Sequence, residues 1–275
     1  MSSASLKHVL LLGGHGKIAQ LLTPLLLRRG WDVTSVIRTD DQSSTVREVL
    51  ERVQPEDEGV VGKLQVLVHS LAEVKTQEDA REVIERAGKE RDVDYVVWSA
   101  GAGGKGGAQN TNAIDKIAAS NFVLAAAEAP KITRFLHVSH LGSRYTKPAW
   151  WSDYDWKGTD NINHEVFPVY YAAKLAVDEL LYSVSKTSGP SFVGISLRPG
   201  SLSDEPAGKV ELGRTASSKG KISREAVARV ADVLLASEGV KNTWLDLLDG
   251  EEEVESAVKK AVDEGVNAVE GEKCA

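Results

Sequence analysis

The chain has 275 residues, 42% of them hydrophobic, and 33 basic against 40 acidic side chains leave a net charge of −7. That balance argues against nucleic acid as the main ligand, and no apolar run reaches the roughly 18 residues of a membrane span. A single cysteine, Cys274, excludes an internal disulfide and a thiolate metal site, and six scattered histidines show no zinc or di-iron spacing, so no metal is expected. With a polar start and no secretory pattern, the cytoplasm is the expected compartment.

The first apolar run, 8–12, leads into Gly13-Gly14-His15-Gly16-Lys17-Ile18-Ala19 and then a helical pattern over 17–29 interrupted by Pro24. Glycines at 13 and 16 with a small residue at 19 have the spacing of a phosphate-binding turn: Gly13 for the turn, Gly16 for close approach of a pyrophosphate, Ala19 for helix packing. The helix start supplies unpaired N–H groups and positive potential. A motif so placed, after a strand and before a helix, is much stronger than the glycines alone. His15 is read as a residue within phosphate reach or simply solvated.

The next run, 33–38, ends in Val36-Ile37-Arg38-Thr39. NAD sites carry an acid here for the ribose hydroxyls, whereas an arginine accommodates a 2′-phosphate. Arg38 therefore favours NADP(H), with NAD(H) kept as the weaker choice because Asp40 and Asp41 follow at once. Val46, Val49, Leu50 and Val53 fall at helical spacing within the charged segment 39–63, predicting an extra surface helix.

Further strands are expected at 64–68, 95–99, 134–139, 192–197 and 244–248, with helices near 77–86, 112–128, 169–185 and 224–236. A last helix begins after Glu251, and a frayed tail is expected over 266–275. The strands are rich in Val, Leu and Ile with little alternation, as in sheets covered on both faces. Seven βα units predict one α/β domain over 1–275: a doubly wound, Rossmann-type parallel sheet of about seven strands with helices on both faces. Two substrate-side segments are expected at 140–167 and 200–222, the second as a lid. Within the first, Trp150, Trp151 and Trp156 suit the wall of a flat, partly apolar ligand site, or equally a dimer contact or a small core of their own. Monomer and homodimer both stay open.

Tyr170 and Lys174 form Y-x-x-x-K, which on a helix puts both side chains on one face. Pro168 suits the helix start, and Tyr171 is an alternative to Tyr170. With the glycine loop, Arg38, the segments 94–101 and 134–139, and Leu197-Arg198-Pro199-Gly200, this pair makes the chain resemble the atypical short-chain dehydrogenase/reductases, in particular the NAD(P)H-binding, NmrA-like and biliverdin-reductase-B-like group. The resemblance covers roughly residues 7–250 and does not name a substrate.

It implies that Gly13, Gly14, His15, Gly16, Lys17 and Ile18 cradle the pyrophosphate. Ser70 and Leu71 then stand by the adenine, with Ser70 replacing an acid usual in the group. Ser99, Ala100 and Gly101 flank ribose and nicotinamide, and Pro199, Gly200 and Ser201 pass the nicotinamide amide. Tyr170 exchanges a proton with a substrate carbonyl or alcohol, its pKa lowered by the Lys174 ammonium, while Lys174 also binds ribose hydroxyls. Asp115 is structural. Ser139 completes the site, or His140 does, or the third member is missing. The activity implied is an NADPH-dependent oxidoreductase acting on a small carbonyl or alcohol compound. The alternatives are an isomerase, epimerase or lyase of the same superfamily, and a non-catalytic NADP(H) sensor, which would be expected to lack the Tyr/Lys pair.

Overall fold

The computed structural model describes residues 6–53, 61–103, 106–189 and 191–274. In chain order its elements are β1 (His8–Leu12), α1 (Lys17–Arg28), β2 (Asp32–Ile37), α2 (Ser43–Arg47), β3 (Leu64–Val68), α3 (Gln77–Ala87), β4 (Tyr95–Trp98), α4 (Gly107–Thr111) and α5 (Ala119–Glu128). There follow β5 (Arg134–Val138), α6 (Asp153–Asn161), α7 (Pro168–Thr187), β6 (Val193–Pro199), β7 (Ser201–Ser203), β8 (Val210–Gly213), β9 (Lys221–Ser223), α8 (Arg224–Ala236), β10 (Thr243–Asp249) and α9 (Val254–Asp263).

The main sheet runs β3-β2-β1-β4-β5-β6-β10-β8, parallel throughout except for β8, which lies antiparallel to β10. Every residue of β1 is buried, as an apolar strand covered on both faces must be. One face packs on α1, α8 and α9, the other on α3, α5 and α7. From β1 the chain winds outward to β2 and β3, then returns to place β4 on the other side of β1. Ligands of such sheets bind in the crevice at the carboxyl ends of the strands beside that reversal.

Local chemistry sets several of these boundaries. Thr76 and Asp79 form a reciprocal capping box at α3, and Ser223 accepts the Ala226 N–H at the start of α8. Pro168 stands at the first position of α7, where its missing N–H costs nothing. Pro24 sits inside α1 without ending it. Among the described residues, no helix is long and apolar enough to cross a membrane.

The doubly wound, mostly parallel sheet is the one expected, and its eighth strand comes from the expected lid 200–222, part of which forms β8 while another part pairs as a β7–β9 ribbon. Two expectations need correction. The surface helix over 39–63 is broken into a 3₁₀ turn, the short α2 and a second 3₁₀ stretch at Glu48–Arg52, while 54–60 lie outside the described residues. The tail is docked rather than frayed: Ala268 and Val269 are buried, and the Glu272 carboxylate accepts the N–H groups of Tyr145 and Thr146. Only Ala275 of that segment lies outside the described residues.

Candidate active site

The turn after β1 is built by glycine. Gly13 has φ +88°, and a Cβ there would fall 2.6 Å from the Ala100 Cα, so both backbone freedom and space exclude a side chain. Gly16 donates its N–H to the Gly13 carbonyl at 2.8 Å and caps α1. Gly14 faces away from the crevice: a Cβ would meet the Ser35 hydroxyl at 1.8 Å, and its N–H bonds the Val36 carbonyl. Its part is to seat the turn on β2.

A cleft of about 530 Å³ opens over this turn. Of the residues expected at a cofactor, Gly13, His15, Gly16, Lys17, Ile18, Arg38, Ser70, Leu71, Ser99, Ala100 and Gly101 all line it. Gly14, Lys174, Pro199, Gly200 and Ser201 do not; Gly200 is wedged against Leu248 and the Gly220 carbonyl, and Ser201 belongs to the β7–β9 ribbon. The Arg38 side chain makes no ion pair with the described residues, and Asp40, the nearer acid, accepts a hydrogen bond from Ser43. Two buried polar atoms of the lining, Ser99 Oγ and His69 Nε2, have no hydrogen-bond partner among the described residues. Desolvation, followed by Arg86, lowers the His69 pKa.

Such orphaned polar atoms in the lining fit a ligand that brings donors and acceptors. With the glycine cradle and the Arg38 side chain, they suit a dinucleotide.

Sequence reasoning missed His69, Gln42 and Arg224 in this lining. A signal for Arg224 existed. It opens α8 at the positive end of the helix, where a cation is unfavourable unless an anion offsets it.

At one end of the cleft, Asp115 joins it to the candidate catalytic cluster. This buried carboxylate sits in a π-helical stretch, Asn112–Ala118. It accepts the Ala102 N–H at 2.9 Å through Oδ2 and lies 3.5 Å from Lys174 Nζ through Oδ1. Lys174, 3% exposed, also donates to the Val138 carbonyl at 3.2 Å, and its ammonium is 5.7 Å from the centroid of the Tyr170 ring. The Tyr170 hydroxyl has no hydrogen-bond partner among the described residues, and its ring meets His140 edge to face at 5.7 Å. Tyr171 is excluded as a substitute: its hydroxyl donates to the Arg144 carbonyl, and burial first of all pushes its pKa up to about 12.

Two electrostatic expectations change. The Tyr170 pKa is raised, not lowered. Burial dominates and Lys174 only opposes it, while Asp115 and Asp178 push further up. Ser139 is committed: its hydroxyl donates to Asp178 Oδ2 at 2.6 Å, so its proton is not free for a substrate oxygen. His140 Nδ1 is buried without a hydrogen-bond partner among the described residues, and desolvation first, then Arg198 and Lys174, lower the His140 pKa to about 4. It is a neutral imidazole at physiological pH.

The His140 shift predicts acid sensitivity. The unfolded chain takes up a proton at this position below about pH 6.5, whereas the folded one does so only near pH 4. Between those values the unfolded state binds more protons, so stability falls with pH, by about 3 kcal/mol when the window is crossed. Urea unfolding of wild type and His140→Gln at successive pH values should therefore show the wild type losing more stability toward pH 4. Parallel losses would refute the assignment.

Behind Ser139 lies a fully buried charge network. Asp178 accepts from His137, Ser139 and Arg198; Arg198 also pairs with Asp246 at 2.9 Å, and Asp246 with Arg144 at 2.7 Å. Arg144 reaches the Ala268 carbonyl and Glu272 of the tail. The tryptophans belong here rather than on a ligand wall. Trp150 and Trp151 stand within 5.4 Å of the Arg144 guanidinium, and Trp151 is 2% exposed with its indole N–H on the Thr215 carbonyl. Trp156, on α6, packs against the small core of Leu141, Trp151 and Leu248. A flat cation buried among aromatic faces accounts for Trp150 and Trp151.

Residues 13–238 match the model of a family described as NAD(P)H-binding. The chain belongs to that family. Its cofactor is thus a nicotinamide dinucleotide. The chain is 28% identical to the UPF0659 protein of Schizosaccharomyces pombe, over 92% of this chain and 94% of that one. It is 27% identical to an uncharacterised sugar epimerase of Bacillus subtilis, YhfK, over 92% of this chain and 99% of that one. Among solved structures, a Bacillus halodurans protein described as an NAD-dependent epimerase/dehydratase superposes with a TM-score of 0.69 at 25% identity, covering 92% of this chain and 99% of that one. Short-chain dehydrogenase/reductases at 15–17% identity share the fold, and the family match bears out the resemblance read from the landmarks. Family and fold together make this an NAD(P)H-binding protein built on a mostly parallel, Rossmann-like sheet.

Proposed function

We propose that the protein is an NADPH-dependent oxidoreductase that moves hydride to or from a small carbonyl or alcohol compound, with Tyr170 as proton donor and acceptor. The observation that carries this reading is the free Tyr170 hydroxyl, set on one helix face with Lys174 and linked to the dinucleotide cleft through Asp115. Bound nicotinamide would supply or take the hydride. Gly13, Gly16, Ser99 and Gly101 would hold the dinucleotide, and Lys174 would orient its ribose. Tyr170, kept protonated by burial, would place its proton on the substrate oxygen. With Ser139 tied to Asp178, His140 is the better candidate for the third group, acting as a hydrogen-bond partner of the substrate.

Incubation with NADPH and a panel of aldehydes and ketones, followed by nicotinamide absorbance, tests the reading. Cofactor oxidation that depends on the carbonyl compound is expected. A second reading, epimerisation of a sugar-like alcohol, is favoured by the descriptions of the Bacillus relatives and by a neutral base, His140, beside the phenol. Stereochemical exchange without net cofactor consumption would select it.

An Arg38 side chain that lines the cleft and pairs with no acid among the described residues supports NADP(H) over NAD(H). Arg38→Gln should weaken NADPH binding by about tenfold, the value of one charge-assisted phosphate contact, and leave NADH binding almost unchanged. Equal losses for both nucleotides in a fluorescence titration would contradict that role.

A further inference from the structure

We infer that Lys17, Asp204 and Arg224 form a gated phosphate seat, in which the two cations take the pyrophosphate of the dinucleotide and Asp204 occupies them until it arrives. The inference rests on the dinucleotide reading above, which already places Lys17 at the pyrophosphate, and adds Arg224 and Asp204 to it.

Lys17 and Arg224 are the first residues of α1 and α8. Each is a cation at the positive end of a helix of 12 or 13 residues, a placement the helix dipole disfavours. In α1 the first turn holds no acid to compensate. Both side chains line the dinucleotide cleft, and both also line an outer groove of about 380 Å³ with Gln20, Arg52 and Glu205. They therefore stand on the wall between the two spaces.

A single carboxylate bridges them. Asp204 Oδ2 lies 2.6 Å from Lys17 Nζ, and its Oδ1 lies 2.8 Å from an Arg224 guanidinium nitrogen. The Lys17 hydrogen bond above all, with Arg224 behind it, lowers the Asp204 pKa, so the bridge is charged at neutral pH. Asp204 directly follows β7, and its partner strand β9 runs into Ser223 and α8, so the bridge ties this ribbon to the glycine turn.

The bridge is built to be replaced. Lys17 and Asp204 are largely exposed, with side-chain exposures of 66% and 60%, and exposed ion pairs contribute little. A pyrophosphate brings more charge and more acceptor oxygens to the same donors. Asp204 would then act twice on affinity, by occupying the cations beforehand and by repelling the phosphate afterwards.

The test is a titration of the purified full chain with NADPH, NADH and inorganic pyrophosphate, for wild type, Asp204→Asn, Arg224→Gln and the double variant. Asp204→Asn should tighten all three ligands by about three- to tenfold, and Arg224→Gln should weaken them by about tenfold, as for single charged contacts at a surface. The double variant should bind more tightly than Arg224→Gln alone and more weakly than Asp204→Asn, because without the guanidinium the carboxylate still holds Lys17 and still repels the phosphate. A wild type that binds both nucleotides while Asp204→Asn binds them no more tightly would overturn the seat and leave the cofactor reading standing. Effects confined to NADPH would overturn the pyrophosphate assignment and point to the 2′-phosphate. A wild type that takes up neither nucleotide would remove the reading beneath and the seat with it.

Discussion

Replacing Tyr170 with phenylalanine should reduce turnover by about 10²- to 10⁴-fold, the range contributed by one positioned proton donor, while nucleotide affinity stays essentially unchanged. The ring would keep its edge-to-face contact with His140 and its place under Lys174, so only the hydroxyl is lost. That hydroxyl bonds no described residue, and no protein contact is broken by removing it. The raised Tyr170 pKa also sets a direction. Burial keeps the phenol protonated through neutral pH, so delivery of a proton to a carbonyl should be insensitive to pH there. The reverse reaction needs the phenolate, and its rate should climb as pH rises toward the alkaline range. Steady-state rates in both directions, paired with a binding titration of Tyr170→Phe, check this. Turnover surviving within a factor of about ten would remove Tyr170 from the proton path, since that is less than a positioned donor contributes.

Replacing Asp178 with alanine should destabilise the fold by about 3–5 kcal/mol, the cost of stranding a buried charge. Asp178 is fully buried and joins His137, Ser139 and Arg198. Without it, Arg198 is left with the Asp246 carboxylate alone, which it shares with Arg144. Although burial raises the Asp178 pKa, Arg198 and the hydrogen bonds from His137 and Ser139 outweigh it, and the net shift is downward. The stability this provides is present above the ordinary carboxylate range near pH 4 and is lost as pH falls through the lowered value. Chemical denaturation at neutral pH measures the difference. A loss below about 1 kcal/mol, the worth of an exposed pair, would show that the network carries no such weight.

What was legible in the sequence follows from where the information is local. The strand 8–12, its glycine turn and α1 are contiguous, so apolar run, spacing and helix start can be read together. The Tyr170–Lys174 pair was legible for the same reason, as a spacing on one helix face. What failed depends on partners far along the chain. Arg198 was read as part of a nicotinamide landmark, yet it is a buried ion whose carboxylates come from Asp178 and Asp246. The tail looked frayed because its apolar residues are sparse, but Arg144 and the backbone of Tyr145 hold Glu272 from more than 120 positions away. Tryptophan composition could not say whether the rings would face a ligand or an arginine. Ser139 was read as a candidate to complete the site, but sequence could not reveal that its proton goes to Asp178.

The central claim is that the cleft over the glycine turn holds a nicotinamide dinucleotide. Titrating the purified protein with NADPH and NADH, followed by quenching of its own fluorescence, tests this most directly. Saturable binding of both, tighter for NADPH, is the expected result. No uptake of either at millimolar concentration would contradict the account.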